Sequence, residues 1–215
     1  MSRAIHFDPK VFEDKLYTYQ SLEGPDHFRL FQFRLAKDGV NIVANLVQGK
    51  RANAPKYEAV SYTWGNPERV EIMRLSDGSA IPITKTLRIL LPRLTSIANT
   101  KYLWIDQLCI NQEDVEEKNQ QVPTMGDIYQ GCERCLVWLG HESFPDESTH
   151  LISNVIRQAR SETEETVRTG EFSHYERWAE DMKTMSSILM SYGNDDHRIQ
   201  AIFALFSRPW FTRVW

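Results

Sequence analysis

A run of polar side chains follows a short apolar stretch near the middle of the chain, which reads LWIDQLCINQEDVEE from Leu103 to Glu117. The run offers a carboxylate, amides and a thiol, carried by Asp106, Gln107, Cys109, Asn111 and Gln112. Carboxylate and amide groups that leave a strand together are suited to hydrogen-bonding a polar ligand. A thiol becomes a nucleophile only beside an activating base, and no histidine lies near Cys109 in the sequence. The residue types therefore favour ligand binding, and we expect Cys109 to be buried and inert.

A second loop leaves the short β-branched and aromatic stretch YEAVSY, which stops at the breaker cluster WGNP. In α/β folds, ligands bind where loops leave the carboxyl ends of parallel strands. We therefore predict that the two loops lie side by side and form one crevice. The predicted ligand-binding residues are Ser61, Tyr62, Trp64, Gly65, Asp106, Asn111 and Gln112.

Several of these residues also have an ordinary structural interpretation. Asp106 could accept hydrogen bonds from loop N–H groups, and Asn111 could form a turn. The Trp64 ring could pack on the core beneath its loop or stack on a nucleotide base, and the sequence leaves both interpretations open. Ser61 lies in a strand and has no assigned His or Asp partner, so we do not expect it to be a catalytic nucleophile.

Two β-hairpins are predicted around these loops. Phe28 to Leu35 alternates between apolar and polar residues, and a turn at Lys37-Asp38-Gly39 connects it to Val40 to Val47. The strands Glu71 to Leu75 and Ala80 to Ile83 flank an Asp-Gly turn, which supplies the positive φ that a tight hairpin needs.

The rest of the chain alternates between helices and strands. Helical spacing of leucines begins at Thr84 and contains Pro92, with Thr84 or Thr86 as the predicted cap. A second helix is predicted to begin near Asp114, where Glu117 gives the form of a capping box, with an inner face of Val122, Met125, Ile128 and Tyr129. Arg134 to Leu139 is interpreted as a buried strand that completes a βαβ crossover, and such crossovers join parallel strands. We predict an α/β fold with a mainly parallel, flavodoxin-like sheet that is flanked by helices and extended by the two hairpins.

Composition excludes several classes of function. The chain has 215 residues, a formal net charge of −4 and a pI near 5.9, which argues against binding to nucleic acid because that needs clustered Lys and Arg. No run approaches the roughly 18 apolar residues of a membrane span. The three cysteines lack the spacing of a disulfide framework, and the lone CxxC of Cys132 and Cys135 lacks further metal ligands, so we expect buried small residues there. We expect a soluble, cytoplasmic protein without a bound metal.

The domain organisation is predicted from changes in composition. Residues 1–27 are interpreted as an N-terminal extension and residues 28–215 as one domain. Residues 141–175 are polar and charge-rich, which is typical of an exposed insertion. The apolar residues of the final segment SRPWFTRVW are spaced as on one face of a helix, so the sequence stops within a predicted helix. We therefore expect the domain to be truncated at its C-terminus.

Three motifs in this order, YEAVSYTWG, LWIDQLCINQED and MGDIYQGCERCLVWLG, resemble the heterokaryon incompatibility (HET) domain of filamentous fungi. The resemblance is close from Phe28 to Gly140 and returns in the terminal RPWFTRVW. Departures are small, with Lys118 where the family usually has Arg and Cys132 where Ala is frequent. The resemblance implies a role in self/non-self recognition, in which contact between incompatible cells triggers programmed cell death.

HET domains are distantly similar to TIR domains, some of which hydrolyse NAD, so the resemblance also implies a TIR-like sheet and NAD as the substrate at the predicted crevice. The catalytic Glu of that interpretation would lie beyond Trp215, and cleavage of the glycosidic bond needs a carboxylate beside the ribose. We therefore expect this chain to bind without turnover, and the catalytic residue is unassigned. Two alternatives stay open: a non-enzymatic module that signals by self-association through its surface helices, and a nucleotide-binding sensor. We expect self-association, and the incompatibility partner protein is unknown.

Overall fold

The structure is a computed structural model that describes residues 15–35, 42–140, 149–155, 157–158, 183–184, 186–191, 193 and 196–211. The strands are β1 (His27–Leu35), β2 (Ile42–Lys50), β3 (Glu58–Tyr62), β4 (Glu71–Arg74), β5 (Ala80–Ile83), β6 (Tyr102–Trp104) and β7 (Arg134–Trp138). The helices are α1 (Lys85–Ile97), α2 (Asp106–Cys109), α3 (Val115–Gln121), α4 (Met125–Gly131) and α5 (His197–Phe206). Two compact units, Met1–Trp138 and Leu139–Trp215, divide the chain, and the first contains both predicted loops.

The central sheet has five strands in the order β2-β1-β6-β3-β7. Strand β3 pairs in parallel with both β6 and β7. Strands β6 and β7 therefore run parallel to each other, as the predicted βαβ crossover between them requires. Strand β1 pairs antiparallel with β2 and also with β6. The sheet is therefore mixed, and the prediction of a mainly parallel sheet needs correction, because the first hairpin joins the sheet as two of its five strands.

The second hairpin forms a separate two-stranded sheet of β4 and β5. Its turn has Gly78 at φ +80°, and the Asp77 carboxylate accepts a hydrogen bond from the Ser79 backbone N–H at 2.9 Å. A positive φ is strained for residues with a side chain, so the predicted Asp-Gly turn is confirmed. The turn predicted at residues 37–39 lies outside the described residues.

Both predicted helix starts are capped by a side chain. Thr84 Oγ1 accepts a hydrogen bond from the Leu87 N–H at 3.2 Å, and Asp114 Oδ1 accepts one from the Glu117 N–H at 3.0 Å. The buried leucines of α1 lie at three- and four-residue steps, as Leu87, Leu90, Leu91 and Leu94. The local sequence therefore sets where α1 and α3 begin.

The helix predicted from Asp114 to Tyr129 is broken into two. A 3-10 turn at Val122–Thr124 separates α3 from α4, and it contains Pro123, whose ring lacks the N–H that would continue the helix. The break leaves Val122 exposed, although helical periodicity placed it on the inner face, whereas Ile128 is buried as predicted.

The core of the first unit lies on the sheet and under α1. Its largest fully buried side chains include Trp104, Phe28, Phe31, Leu87, Leu90 and Leu108. Strand β7 was predicted to be buried, but only Leu136 is buried there, because β7 lies at the edge of the sheet. Cys135 on this strand is exposed and Cys132 is half-buried, so the CxxC is less buried than expected.

The second unit has its own small core. Leu151 and Val155 are buried together with Ile199 and Ile202 of α5. Residues 149–155 are helical although they fall in the predicted insertion, most of which lies outside the described residues. The bounds of the extension, the domain and the insertion stay predictions. Within the described ranges, no helix has the length and apolar character to cross a membrane.

Candidate functional site

The two predicted loops meet at the carboxyl ends of β3 and β6. These strands are parallel neighbours, with Ala59 aligned to Trp104. The Trp64 indole Nε1–H donates a hydrogen bond to Asp106 Oδ2 at 2.9 Å, which joins one loop directly to the other. The prediction that the loops lie side by side at one end of the sheet is confirmed.

Asp106 is the centre of this junction. It is half-buried at the start of α2, and its Oδ1 accepts a hydrogen bond from the Gln107 N–H at 2.7 Å. Its backbone carbonyl accepts another from Gln112 Nε2 at 2.9 Å. The carboxylate therefore acts as an acceptor for groups of both loops, which is the structural interpretation that the sequence allowed.

The other residues predicted on the first loop differ in their surroundings. Ser61 and Tyr62 are buried in β3, and neighbouring residues of a strand point to opposite faces of the sheet. Burial and the adjacent Asp106 carboxylate raise the pKa of Tyr62 well above its ordinary value, so its phenol stays protonated. Gly65 is exposed at φ +68°, and a Cβ there would lie 3.0 Å from Thr86 Oγ1. The tight exit of this loop therefore requires glycine.

Trp64 is half-buried and packs against the core. Together with its bond to Asp106, this contact supports the core-packing interpretation of the ring that the sequence left open.

The polar residues of the second loop are mostly used within the protein. Gln107 Oε1 accepts hydrogen bonds from the Thr84 N–H at 3.3 Å and Thr84 Oγ1 at 3.2 Å, which connects α2 to the start of α1. Asn111 Oδ1 accepts one from the Glu113 N–H at 3.2 Å, as a turn former does. Lys118 Nζ donates to the Gln112 carbonyl at 2.9 Å, so a basic group at position 118 holds the loop.

Two buried charged residues outside the predicted ligand-binding set hold this loop in place. Arg29 of β1 is 2% exposed and Glu117 of α3 is 7% exposed, and they form a bidentate pair with N–O distances of 2.5 and 2.9 Å. Glu117 Oε1 also accepts from the Asn111 N–H at 2.7 Å, and Arg29 donates to the Cys109 carbonyl at 3.2 Å. The pair therefore positions the loop, and Glu117 is not available as a catalytic acid. One sequence signal could have identified Arg29 as buried. The alternation of β1 puts Arg29 on the same face as Phe31 and Phe33.

Residues 15–20, within the predicted N-terminal extension, pack against the same network. The Tyr19 hydroxyl donates to the Leu108 carbonyl at 3.0 Å, and the Arg29 guanidinium carbon lies 5.0 Å from the centre of the Tyr19 ring. Backbone hydrogen bonds connect Tyr17 and Lys15 to Ala80 at 2.9 and 3.0 Å. This segment is therefore part of the structure that positions the loops.

The acidic and polar groups near the two loops differ in how far they are engaged within the protein. Of the acids near the loops, Glu113 is exposed and paired with Arg69 at 3.0 Å, whereas Glu117 is buried against Arg29. Of the predicted ligand-binding residues, Trp64, Asp106, Asn111 and Gln112 are half-buried. Among the described residues, no cluster of three or more His, Cys, Asp or Glu could hold a metal ion.

We expect iodoacetamide to alkylate the exposed Cys135 of the folded protein at about pH 8 and to leave Cys109 unmodified. Burial raises the pKa of the Cys109 thiol to about 12, so the reactive thiolate is scarce and inaccessible. Peptide mass spectrometry with and without urea measures both sites. Equal labelling of the two cysteines in the folded protein would contradict this assignment.

The raised pKa of the Cys109 thiol also predicts that the protein loses stability in alkaline solution. Because the folded-state pKa of Cys109 is raised from 9.0, its contribution is fully present below pH 9 and decreases as the pH rises towards 12. The free energy of unfolding of Cys109→Ala, measured by urea titration at several pH values, should fall less steeply above pH 9 than that of the unsubstituted protein.

The fold and the site together define an α/β protein in which a mixed sheet presents two connected loops at the carboxyl ends of its parallel strands. The family model described as heterokaryon incompatibility protein (HET) matches residues 57–215, and the chain belongs to this family. The resemblance drawn from the three motifs is thereby confirmed. Its extension to TIR domains stays a prediction.

A known relative supports this assignment. The chain is 41% identical over 98 residues to heterokaryon incompatibility protein 6, OR allele, of Neurospora crassa. The match covers 40% of this chain and 14% of that protein, so the chain corresponds to a small part of its relative. No solved structure matches the chain.

Proposed function

We propose that this chain acts in fungal heterokaryon incompatibility as a cell-death signalling module, and that its paired loops are a preorganised, non-catalytic binding surface. The observation that carries the proposal is the Trp64–Asp106 hydrogen bond at 2.9 Å, which joins the two loops within the protein. A surface that is already ordered loses less conformational entropy when a partner binds. The family membership and the Neurospora relative support the biological role.

The absence of catalysis in this proposal follows from how the acids are used. Cleavage of NAD needs a carboxylate beside the ribose, where positive charge develops. Asp106 already accepts hydrogen bonds from Trp64 and Gln107, and Glu117 is held by Arg29. Neither carboxylate is placed to approach a sugar without breaking these contacts.

The test of the role is cell death in a living fungus. The full-length protein that contains this chain is expressed from an inducible promoter, and viability is compared with that of cells expressing an unrelated protein. We expect death on induction, together with concentration-dependent self-association of the purified protein in sedimentation. Full viability at a matched expression level would exclude the cell-death role.

A second candidate function is hydrolysis of NAD by an assembled full-length protein. It is favoured by one observation, the convergence of two polar loops at the carboxyl ends of parallel strands, which is where α/β proteins bind nucleotides. In this case Trp64, Asp106, Asn111 and Gln112 would contact NAD, and the carboxylate beside the ribose would come from outside this chain.

We expect this chain to release no nicotinamide from NAD, even at high protein concentration, because Asp106 and Glu117 are engaged in hydrogen bonds within the protein. Chromatographic detection of nicotinamide, with boiled protein as the blank, provides the measurement. Release by the full-length protein alone would favour the second candidate. Release by this chain that Asp106→Asn abolishes would overturn the non-catalytic proposal.

A further inference from the structure

A cavity of 560 Å³ lies at the amino ends of β3 and β7, at the opposite end of these strands from the paired loops. One side is formed by Asp127, Gly131 and Glu133. The other side is formed by Arg51, Ala52, Ala54, Pro55 and Lys56. Ligand sites in proteins commonly enclose about 300–1,000 Å³, so the cavity is large enough for several groups of a partner. Neither the loop motifs nor the proposed function uses these residues.

The cavity is formed by contacts that hold it open. Tyr57 is 5% exposed, and its hydroxyl donates to the Ile128 carbonyl at 2.6 Å. A Cβ at Gly131 would lie 3.1 Å from the Tyr57 hydroxyl oxygen, so glycine lets the ring and the end of α4 approach closely. On the opposite wall, Arg51 donates to the Pro25 carbonyl at 2.9 Å and its N–H donates to the Asp26 carbonyl at 2.9 Å. A preformed cavity avoids part of the entropic cost of binding.

The charges of the cavity indicate the kind of ligand. Lys56 and Glu133 form an exposed ion pair with each other at 2.9 Å. This leaves Arg51 as a cation without an acidic partner and Asp127 as an anion without a hydrogen-bond donor, as far as the described residues extend. The lining also includes the small apolar residues Ala52, Ala54 and Pro55.

We propose that this cavity binds a peptide segment of a partner protein that presents one acidic side chain, one basic side chain and small apolar residues. Two cations and two anions give the lining no net charge, which disfavours phosphate groups and nucleic acid. These four charged side chains equally disfavour a wholly apolar ligand. The inference does not rest on the proposed function, because it concerns the other end of the strands.

The test uses the whole chain labelled with ¹⁵N and the capped tetrapeptide Glu-Ala-Ala-Lys, with Gln-Ala-Ala-Gln as the uncharged control. We expect the charged peptide, added up to about 10 mM, to shift the amide signals of Ala52, Ala54 and Gly131 and to leave Gly65 unaffected. The control peptide should produce shifts at least about fivefold smaller at the same concentration. Equal shifts with both peptides, or shifts only at the paired loops, would overturn the proposal.

Two charge reversals test whether Arg51 and Asp127 determine which peptide the cavity prefers. Arg51→Glu should bind the charged peptide about tenfold more weakly and should prefer Lys-Ala-Ala-Lys. Asp127→Lys should instead prefer Glu-Ala-Ala-Glu, and its side chain makes no hydrogen bond in the described structure that could affect folding. An unchanged preference in a folded Asp127→Lys protein would show that these charges do not form a binding site.

Discussion

Replacing Arg29 by Met is expected to lower the free energy of unfolding by about 3–5 kcal/mol, which is the usual cost of removing one partner of a buried ion pair. Arg29 and Glu117 are 2% and 7% exposed, and no solvent can replace the guanidinium beside the carboxylate. The substitution also removes hydrogen bonds to the Gln20 carbonyl at 2.5 Å and the Cys109 carbonyl at 3.2 Å. Urea unfolding followed by tryptophan fluorescence provides the measurement.

The chain offers a matched control in an exposed ion pair. Lys56 and Glu133 lie 2.9 Å apart with side chains 81% and 43% exposed, so Lys56→Met should cost no more than about 1 kcal/mol. The double variant Arg29→Met/Glu117→Met should lose less than the sum of its single variants, because no buried charge is left alone. A cost below about 1 kcal/mol for Arg29→Met would show that the buried pair does not hold the loop.

Asp106→Ala is expected to abolish cell death on overexpression of the full-length protein. The substitution leaves the Trp64 indole N–H and the Gln107 N–H without their acceptor, and such a loss costs about 1–3 kcal/mol. The two loops would then no longer be joined, so the surface that they form would lose its order. Viability after induction measures the effect, with expression confirmed by immunoblotting.

Two variants separate loss of loop order from loss of a partner contact. Asp106→Asn keeps the shape of the side chain but only one acceptor oxygen, so it retains one of the bonds from Trp64 and Gln107 and places an NH2 group against the other N–H. Trp64→Phe removes only the indole donor and part of the ring. A large fall in the melting midpoint of Asp106→Ala, with smaller falls for Asp106→Asn and Trp64→Phe, would identify loop order as the cause. Lost killing at an unchanged midpoint would identify a contact with a ligand or partner. Undiminished killing by Asp106→Ala would contradict both roles.

Local features could be predicted from the sequence because they depend on residues that are close along the chain. A cap joins positions three residues apart, as in Thr84 to Leu87 and Asp114 to Glu117. The Asp-Gly turn at Gly78 is equally local. The meeting of the two loops could also be predicted, because parallel neighbouring strands place their carboxyl ends at the same edge of a sheet.

The sequence alone thus determined the family, both helix caps, the second hairpin and the end of the sheet at which the polar loops lie. Only the tertiary structure decided which strand lies beside which, so that β1 pairs with β6 and makes the sheet mixed. It also decided that Arg29 meets Glu117, 88 positions away, and that Trp64 donates to Asp106, 42 positions away. Hydrophobic periodicity reports which face of an element is buried, but it carries no information on which distant polar group will satisfy another, since that depends on the packed order of the strands.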